Sequence, residues 1–280
     1  MKKNEYINVS NRGKFSLTEK GIKYCYEKII EEGLSFAKLG KEIGVNPDTI
    51  GKLCKENGVY KDNRRKYLLN ENYFSIIDTP QKAYWLGFLS ADGYISEDNG
   101  VVTIRLQHKD RSHLESFLKN IESSKKVKAI KINLDGKEHL QSGVSVNSRK
   151  MVNDLVSHGC YQGKSLTLKP PSFLKEDSLI DAWILGYYDG DGGISVYDSP
   201  YGRRFISYFT GTYEVISFIK EKYSLGQKIL REHNCEHNTF KIQLTEGPTI
   251  DTLSRLYVSE LDEVVLKRKH EIFKSVKPPC

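Results

Sequence analysis

The chain has 280 residues, 38% of them hydrophobic and 28% charged, which is the composition of a folded globular protein and excludes disordered, collagenous and fibrous classes. No apolar run approaches the roughly 18 residues of a membrane span, and the polar start from Met1 to Arg12 lacks the apolar stretch of a secretory leader. Lys and Arg number 43 against 36 Asp and Glu, and residues 1–70 hold 15 basic and 9 acidic side chains, so +6 of the +7 net charge lies in that stretch and the body is nearly neutral.

Such a basic module anticipates an anionic partner, with nucleic acid the leading candidate. Between Thr18 and Gly33 the apolar residues Ile22, Cys25, Tyr26, Ile29 and Ile30 recur at helical spacing, and Gly33 offers a stop. Ser35 is a cap for a second helix that carries Phe36, Leu39, Gly40 and Ile43 inward and breaks at Gly44. Asn46 caps a third, with Pro47 at the tolerated first position and Ile50 and Leu53 buried. The stretch from Ser35 to Glu56 resembles the helix-turn-helix of resolvases and many bacterial repressors. That resemblance implies that Asn46, Asp48, Thr49, Lys52 and Lys55 face a DNA major groove. Lys61-Asp-Asn-Arg-Arg-Lys66 follows as a basic connection, where Arg64 and Arg65 are candidates to lie along phosphates.

The body contains an internal repeat. Ala83-Tyr-Trp-Leu-Gly-Phe-Leu-Ser-Ala-Asp-Gly-Tyr-Ile95 is matched 99 residues later by Ala182-Trp-Ile-Leu-Gly-Tyr-Tyr-Asp-Gly-Asp-Gly-Gly-Ile194. Strand-like alternation, a helical segment, further strands and a final helix follow each copy, so one α+β unit occurs twice and implies a pseudo-dimer within one chain. Lys169-Pro-Pro-Ser172 is an extended connector between them.

Ala83, Gly87 and Ala91 are spaced by four, as are Ala182, Gly186 and Gly190, so each helix presents a small-residue stripe along which two backbones can pack closely. An acid ends each stripe, Asp92 and Asp191, followed by a terminating glycine. If the helices pair, both carboxylates arrive at one end of the seam, where the helix dipoles disfavour negative charge and each carboxylate repels the other. Either one carboxylate keeps its proton or a cation sits between them, and an oxygen-only donor set favours Mg²⁺ over zinc.

Trp85-Leu-Gly-Phe-Leu-Ser-Ala-Asp-Gly93 and Ile184-Leu-Gly-Tyr-Tyr-Asp-Gly-Asp-Gly192 resemble the two copies of the nine-residue motif of the LAGLIDADG homing endonucleases, over about residues 72 to 275. The resemblance implies an α+β fold of two pseudo-symmetric αββαββα halves whose antiparallel sheets form a saddle on double-stranded DNA. It implies Asp92 and Asp191 as metal-binding catalytic acids, with Ala91 and Gly190 giving backbone carbonyls to the metals. It further implies hydrolysis of both strands with Mg²⁺, or Mn²⁺ in its stead, leaving short 3′ overhangs on a long asymmetric target. The first copy has Ser90 where the second has Asp189, a position that is not the metal acid. Basic residues near the reaction centre also belong to that picture, and Lys241 is the candidate.

Strand alternation points to a DNA-facing sheet independently of the motif. Val102, Ile104 and Leu106 oppose Thr103, Arg105 and Gln107; Ile130 and Ile132 oppose Lys131 and Asn133; Phe240, Ile242 and Leu244 oppose Lys241 and Gln243. The polar sets are of the types that read base edges. Asp189-x-Asp191 begins like a calcium loop but lacks its later ligands, and His233-x-Cys235-x-His237 is better explained as a polar turn than as a zinc site. Five scattered cysteines, Cys25, Cys54, Cys160, Cys235 and Cys280, form no Cys-x-x-Cys pair and suit a reducing cytoplasmic compartment.

The sequence thus predicts a small all-α helix-turn-helix domain over 1–60, a basic linker over 61–81, one repeat over 82–163, a connector over 164–181 and the second repeat over 182–280. The expected molecule is a monomeric, metal-dependent DNA endonuclease. Its rivals are a noncatalytic transcription regulator, against which both intact acids argue, and an intron RNA maturase.

Overall fold

A computed structural model describes residues 3–10, 13–59, 67–200, 202–232 and 238–276, and the chain divides into two compact units, residues 1–66 and 67–280. Arg64 and Arg65, and the His233, Cys235 and His237 set, lie outside the described residues.

The first unit runs α1 (Lys3–Tyr6), β1 (Ile7–Val9), β2 (Phe15–Leu17), α2 (Glu19–Tyr26), a π-helical turn (Glu27–Glu31), α3 (Phe36–Ile43) and α4 (Pro47–Glu56). It is not all-helical as expected: β1 and β2 pair antiparallel with Ile7 opposite Leu17. Strands of three residues show too little alternation to be read from sequence. Two helices are capped where the sequence predicts, because the Ser35 and Asn46 side chains accept from the amides of Lys38 and Asp48, and Thr18 caps α2 in the same way through the Gly21 amide. Gly44 ends α3 in the left-handed region at φ 74°, and a Cβ on Gly40 would come 2.5 Å from the Val45 carbonyl oxygen, so the turn between α3 and α4 needs both glycines. Leu39, Ile50, Cys25 and Cys54 fill a core of this unit's own, whereas Tyr26, expected inside, is exposed.

The second unit contains α5 (Pro80–Asp92), β3 (Gly93–Ser96), β4 (Val101–Gln107), α6 (Arg111–Asn120), β5 (Lys128–Leu134), β6 (Lys137–Asn147) and α7 (Arg149–Ser157). The same order repeats as α8 (Asp177–Asp191), β7 (Gly193–Ser199), β8 (Gly202–Gly211), α9 (Tyr213–Lys222), β9 (Ile229–Arg231), β10 (Phe240–Thr245) and α10 (Gly247–Leu256), after which α11 (Lys267–Val276) is added. Each half is therefore αββαββα. Both sheets are antiparallel with the same strand order, β3-β4-β6-β5 and β7-β8-β10-β9. Asp135 and Gly136, both at positive φ, make the two-residue turn that joins β5 to β6.

Helices α5 and α8 lie at the centre of this unit's core. Eight consecutive residues of α5, Ala83 to Ser90, are buried, as are Ala182 to Asp189 of α8, so neither helix keeps a polar face. Residues 67–79, expected within the linker, belong to this unit: Tyr73, Phe74 and Ile77 pack into its core. No helix among the described residues is long and apolar enough to cross a membrane.

The sheet register corrects one expectation. Direct cross-strand partners share a face, so Thr103 with Ser145, Arg105 with Gly143 and Lys128, and Gln107 with Gln141 and Ile130 form one surface. Lys131 and Asn133, expected on that surface, are on the opposite one, where Lys131 pairs with Leu140 and bridges Glu138 at 2.8 Å. The outer β5–β6 hairpin is exposed on both faces around residues 137–140, so burial does not sort its polar from its apolar positions. In the second sheet Lys241 and Gln243 do share the face of Thr210 and Tyr208, while Ile242 and Leu244 are buried.

Candidate functional site

The site grows out of the glycine seam. A Cβ on Gly87 would strike the Trp183 carbonyl oxygen, one on Gly186 the Tyr84 carbonyl oxygen, and one on Gly190 the Ala91 side chain. Each contact has its mate 99 residues away, which is the signature of a twofold relation between α5 and α8. Backbones approach closely only because these positions lack side chains. The packing carries Ala91 and Gly190 against each other at the C-terminal ends of both helices, and Asp92 and Asp191 immediately follow them.

Both acids are exposed residues seated against dense protein. Burial is the first cause raising the Asp92 carboxyl, opposed by the charges of Lys269 and Lys164. Burial and then the Asp92 charge push Asp191 up to about 6, again opposed by Lys269 and Lys164. The Asp92 charge acts on Asp191, and both carboxyls are raised. Asp92 also lines a hollow with Tyr94, Thr103 and Arg105, which connects the acid to the polar face of the first sheet.

Two lysines that the sequence did not single out stand beside the acids. Lys269, almost fully buried on α11, donates to the carbonyls of Tyr188 at 2.7 Å, Asp189 at 2.8 Å and Gly192 at 2.5 Å. It thereby satisfies the end of α8, and burial lowers its pKa to about 8 against the pull of Asp189, Asp92 and Asp191. Lys164, equally buried, donates to the Gly93 carbonyl at the end of α5. The repeat conceals this pair, because the two lysines are 105 residues apart rather than 99. Lys241 sits over the Tyr208 ring, 4.1 Å from its centroid, with Glu232 at 3.9 Å, and Tyr208 pairs with Gly193 two residues after Asp191.

Asp189 has a separate structural task. Its carboxylate is buried and accepts from the Tyr84 hydroxyl at 2.6 Å, the Leu266 amide at 2.8 Å and the Tyr257 hydroxyl at 3.3 Å, so it ties α5 to the segment entering α11. Ser90, its counterpart, returns its hydroxyl to the Leu86 carbonyl.

The other candidates are spread over both units. In the first unit Asn46, Asp48, Lys52 and Lys55 are exposed and Thr49 half-buried along α4. On the first sheet Thr103, Arg105 and Gln107 share one surface, and on the second Gln243 is exposed beside Lys241. Among the described residues, no group of three or more His, Cys, Asp or Glu side chains is placed to hold a metal ion. Any ion at Asp92 and Asp191 must complete its shell with backbone carbonyls, water and substrate oxygens.

No protein-family model and no curated protein matches the chain. Among solved structures it is similar to the LAGLIDADG homing endonuclease I-GzeII in complex with DNA target, at 12% identity over 71% of this chain and 90% of that one, with a TM-score of 0.43. It is similar likewise to the I-LtrWI LAGLIDADG homing endonuclease bound to target DNA, at 12% identity over 74% and 90% with a TM-score of 0.43. A third likeness is to the LAGLIDADG meganuclease I-AabMI bound to uncleaved DNA, at 13% identity over 70% and 91% with a TM-score of 0.42. The solved structures named here, to which this α+β chain is similar, are thus all LAGLIDADG endonucleases.

Proposed function

We propose that the chain is a divalent-metal-dependent, site-specific DNA endonuclease of the LAGLIDADG type that acts as a monomer on a long duplex target. The observation that carries this reading is the twofold packing of α5 on α8, which delivers one acid per repeat to a common end of the seam. One acid per half matches one scissile phosphate per strand, and a single chain supplies both.

Asp92 and Asp191, with the carbonyls of Ala91 and Gly190, are the groups that would hold Mg²⁺. When bound, the cation supplies an acidified water and neutralises charge on the phosphate oxygens. The protein's own part is positional and electrostatic. The rigid seam fixes the spacing of the carboxylates, and Lys164 and Lys269 hold positive charge beside them without needing to move. The polar face of the first sheet, continuous with Asp92 through Tyr94, Thr103 and Arg105, is the surface on which the duplex would lie. The first unit, with its basic charge and exposed α4 residues, adds target contacts through Asn46, Thr49, Lys52 and Lys55.

Selection of cleaved molecules from randomised duplex DNA tests the reading. Cutting is expected in Mg²⁺ or Mn²⁺, and binding without cutting in Ca²⁺. Asp191→Asn keeps the shape and removes the charge, so it should slow cleavage at least about a hundredfold while leaving binding intact. Full activity in EDTA, or no cleavage of any duplex by the wild type, would overturn it and favour a noncatalytic binding protein.

A further inference from the structure

Resting on the reading of the two sheets as a duplex-binding surface, we propose that the repeats grip DNA unequally. The first-repeat sheet carries most of the electrostatic hold on the phosphate backbone through a hollow formed by Arg105, Lys125, Lys126 and Lys128, while the second-repeat sheet docks with its in-strand charge already paired.

The register makes the contrast. On the Thr103–Arg105 face of the first sheet, the strand positions include Arg105, Lys128 and Lys137 and not one Asp or Glu. Lys125 and Lys126, just before β5, line the same hollow as Arg105 and Lys128. Among the described residues none of these four side chains has an ion-pair partner. Lys125 is held 4.4 Å from the Tyr67 ring centroid, and both burial and the Lys128 charge press its pKa down. The hollow exists because position 143 is glycine: a Cβ there would come 2.8 Å from Ile130 Cδ1 and 3.3 Å from Arg105 Cγ. Like charges gathered around a hollow without an acid raise the energy of the free protein, and a bound anion removes that cost.

The equivalent face of the second sheet is arranged the other way. Its in-strand cations among the described residues are Arg204 and Lys241, and each meets a carboxylate, Glu246 for Arg204 and Glu232 at 3.9 Å for Lys241, which leaves Lys228, exposed just before β9, as the one cation there without an ion pair, against four in the first-sheet hollow. Around them are Tyr197, Ile206 and the exposed Leu230. This half offers shape and apolar contact and releases few counterions. The ligand of the first-sheet hollow is therefore a backbone phosphate of duplex DNA, and the first-repeat half-site is the one that anchors the complex.

The test is a salt series on the full-length protein with random-sequence duplex DNA, since the phosphate contribution is independent of sequence. Each phosphate contact adds about 0.9 to the slope of log K against log salt, so Lys125→Gln, Lys126→Gln and Lys128→Gln together should flatten it by roughly 2.7. Arg204→Gln with Lys241→Gln should change it by well under about 1, and Glu232→Gln with Glu246→Gln should steepen it by up to about 1.8 by freeing both cations. All these side chains are at least partly exposed, and unchanged thermal melting checks the folds. Equal flattening per charge in the two sheets, with no steepening from the glutamate variants, would overturn the unequal grip and leave the duplex-binding reading standing. Absence of salt-dependent duplex binding by the wild type would overturn both. Tighter binding of a structured RNA through the same lysines would replace the duplex as the occupant.

Discussion

Asp191 pays for its position in stability. Its carboxyl titrates at about 6 in the folded chain against an ordinary 3.8, so across that interval the folded state binds more protons than the unfolded one and stability falls as pH rises. Above about pH 6 the full penalty is present; below about pH 4 it is gone. Asp191→Asn should therefore melt at a higher temperature than wild type at neutral pH in EDTA, with the gap closing as pH falls through that window. Because Asp191 is an exposed residue, the gain is about 1 kcal/mol rather than the full equivalent of the shift. Equal melting curves at both ends of the pH range would show that the acid is not held in an unfavourable field. His113 works in the opposite direction: burial lowers it to about 3, so it stays neutral and withdraws stability as pH drops below its ordinary 6.5.

At the level of elements, the α5–α8 seam is the feature least tolerant of change. An exposed helical Gly→Ala substitution gains about 1 kcal/mol from propensity alone. At Gly186 the new Cβ would instead strike the Tyr84 carbonyl oxygen, which is backbone and cannot rotate away. Overpacking at this contact should win, lowering stability by about 3 kcal/mol, and cleavage should fall further than folding because the acids separate. Chemical denaturation beside cleavage rates at a temperature where the variant is folded checks both statements. A second joint holds α11, which carries Lys269: Arg268 clasps the buried Asp110 of the first repeat with Nε 3.2 Å from each carboxylate oxygen. Arg268→Ala leaves that acid without its cation and should cost about 1–3 kcal/mol, discounted for the half-open arginine.

At the level of the whole molecule, the excess positive charge and the paired acids are allotted to different units. Residues 1–66 carry 15 basic and 9 acidic side chains, and their core of Leu39, Ile50 and Cys54 shares no residue with the core around α5 and α8. Residues 67–280 should therefore fold without them. That fragment should bind more weakly, with a flatter salt dependence, and still cut at high protein concentration. Its footprint should shorten on one side only, since one helix pair accompanies two repeats. An unchanged salt slope and footprint would remove the first unit from the DNA complex.

Local chemistry was enough for much of this. The caps at Ser35 and Asn46, the turn at Gly44 and the small-residue stripes ending in Asp92 and Asp191 are all decided within a few residues, by hydrogen bonds and steric room that the neighbouring sequence already specifies. Repetition at 99 residues added the pairing of the halves, because neither stripe can be buried alone. What depended on distant chain was hidden. Lys164 and Lys269 matter only through the carbonyls at Gly93 and Gly192, which other elements bring to them, and their spacing departs from the repeat. The face taken by Lys131 and Asn133 was settled by cross-strand hydrogen bonds in a hairpin that has no burial to reveal its parity. The three-residue strands β1 and β2 likewise exist only as partners of each other. Sequence determined the motif, the caps and the acids, whose causes are local. Tertiary structure alone decided which cations meet those acids and which strand faces point together, because both are set by contacts between residues far apart in the chain.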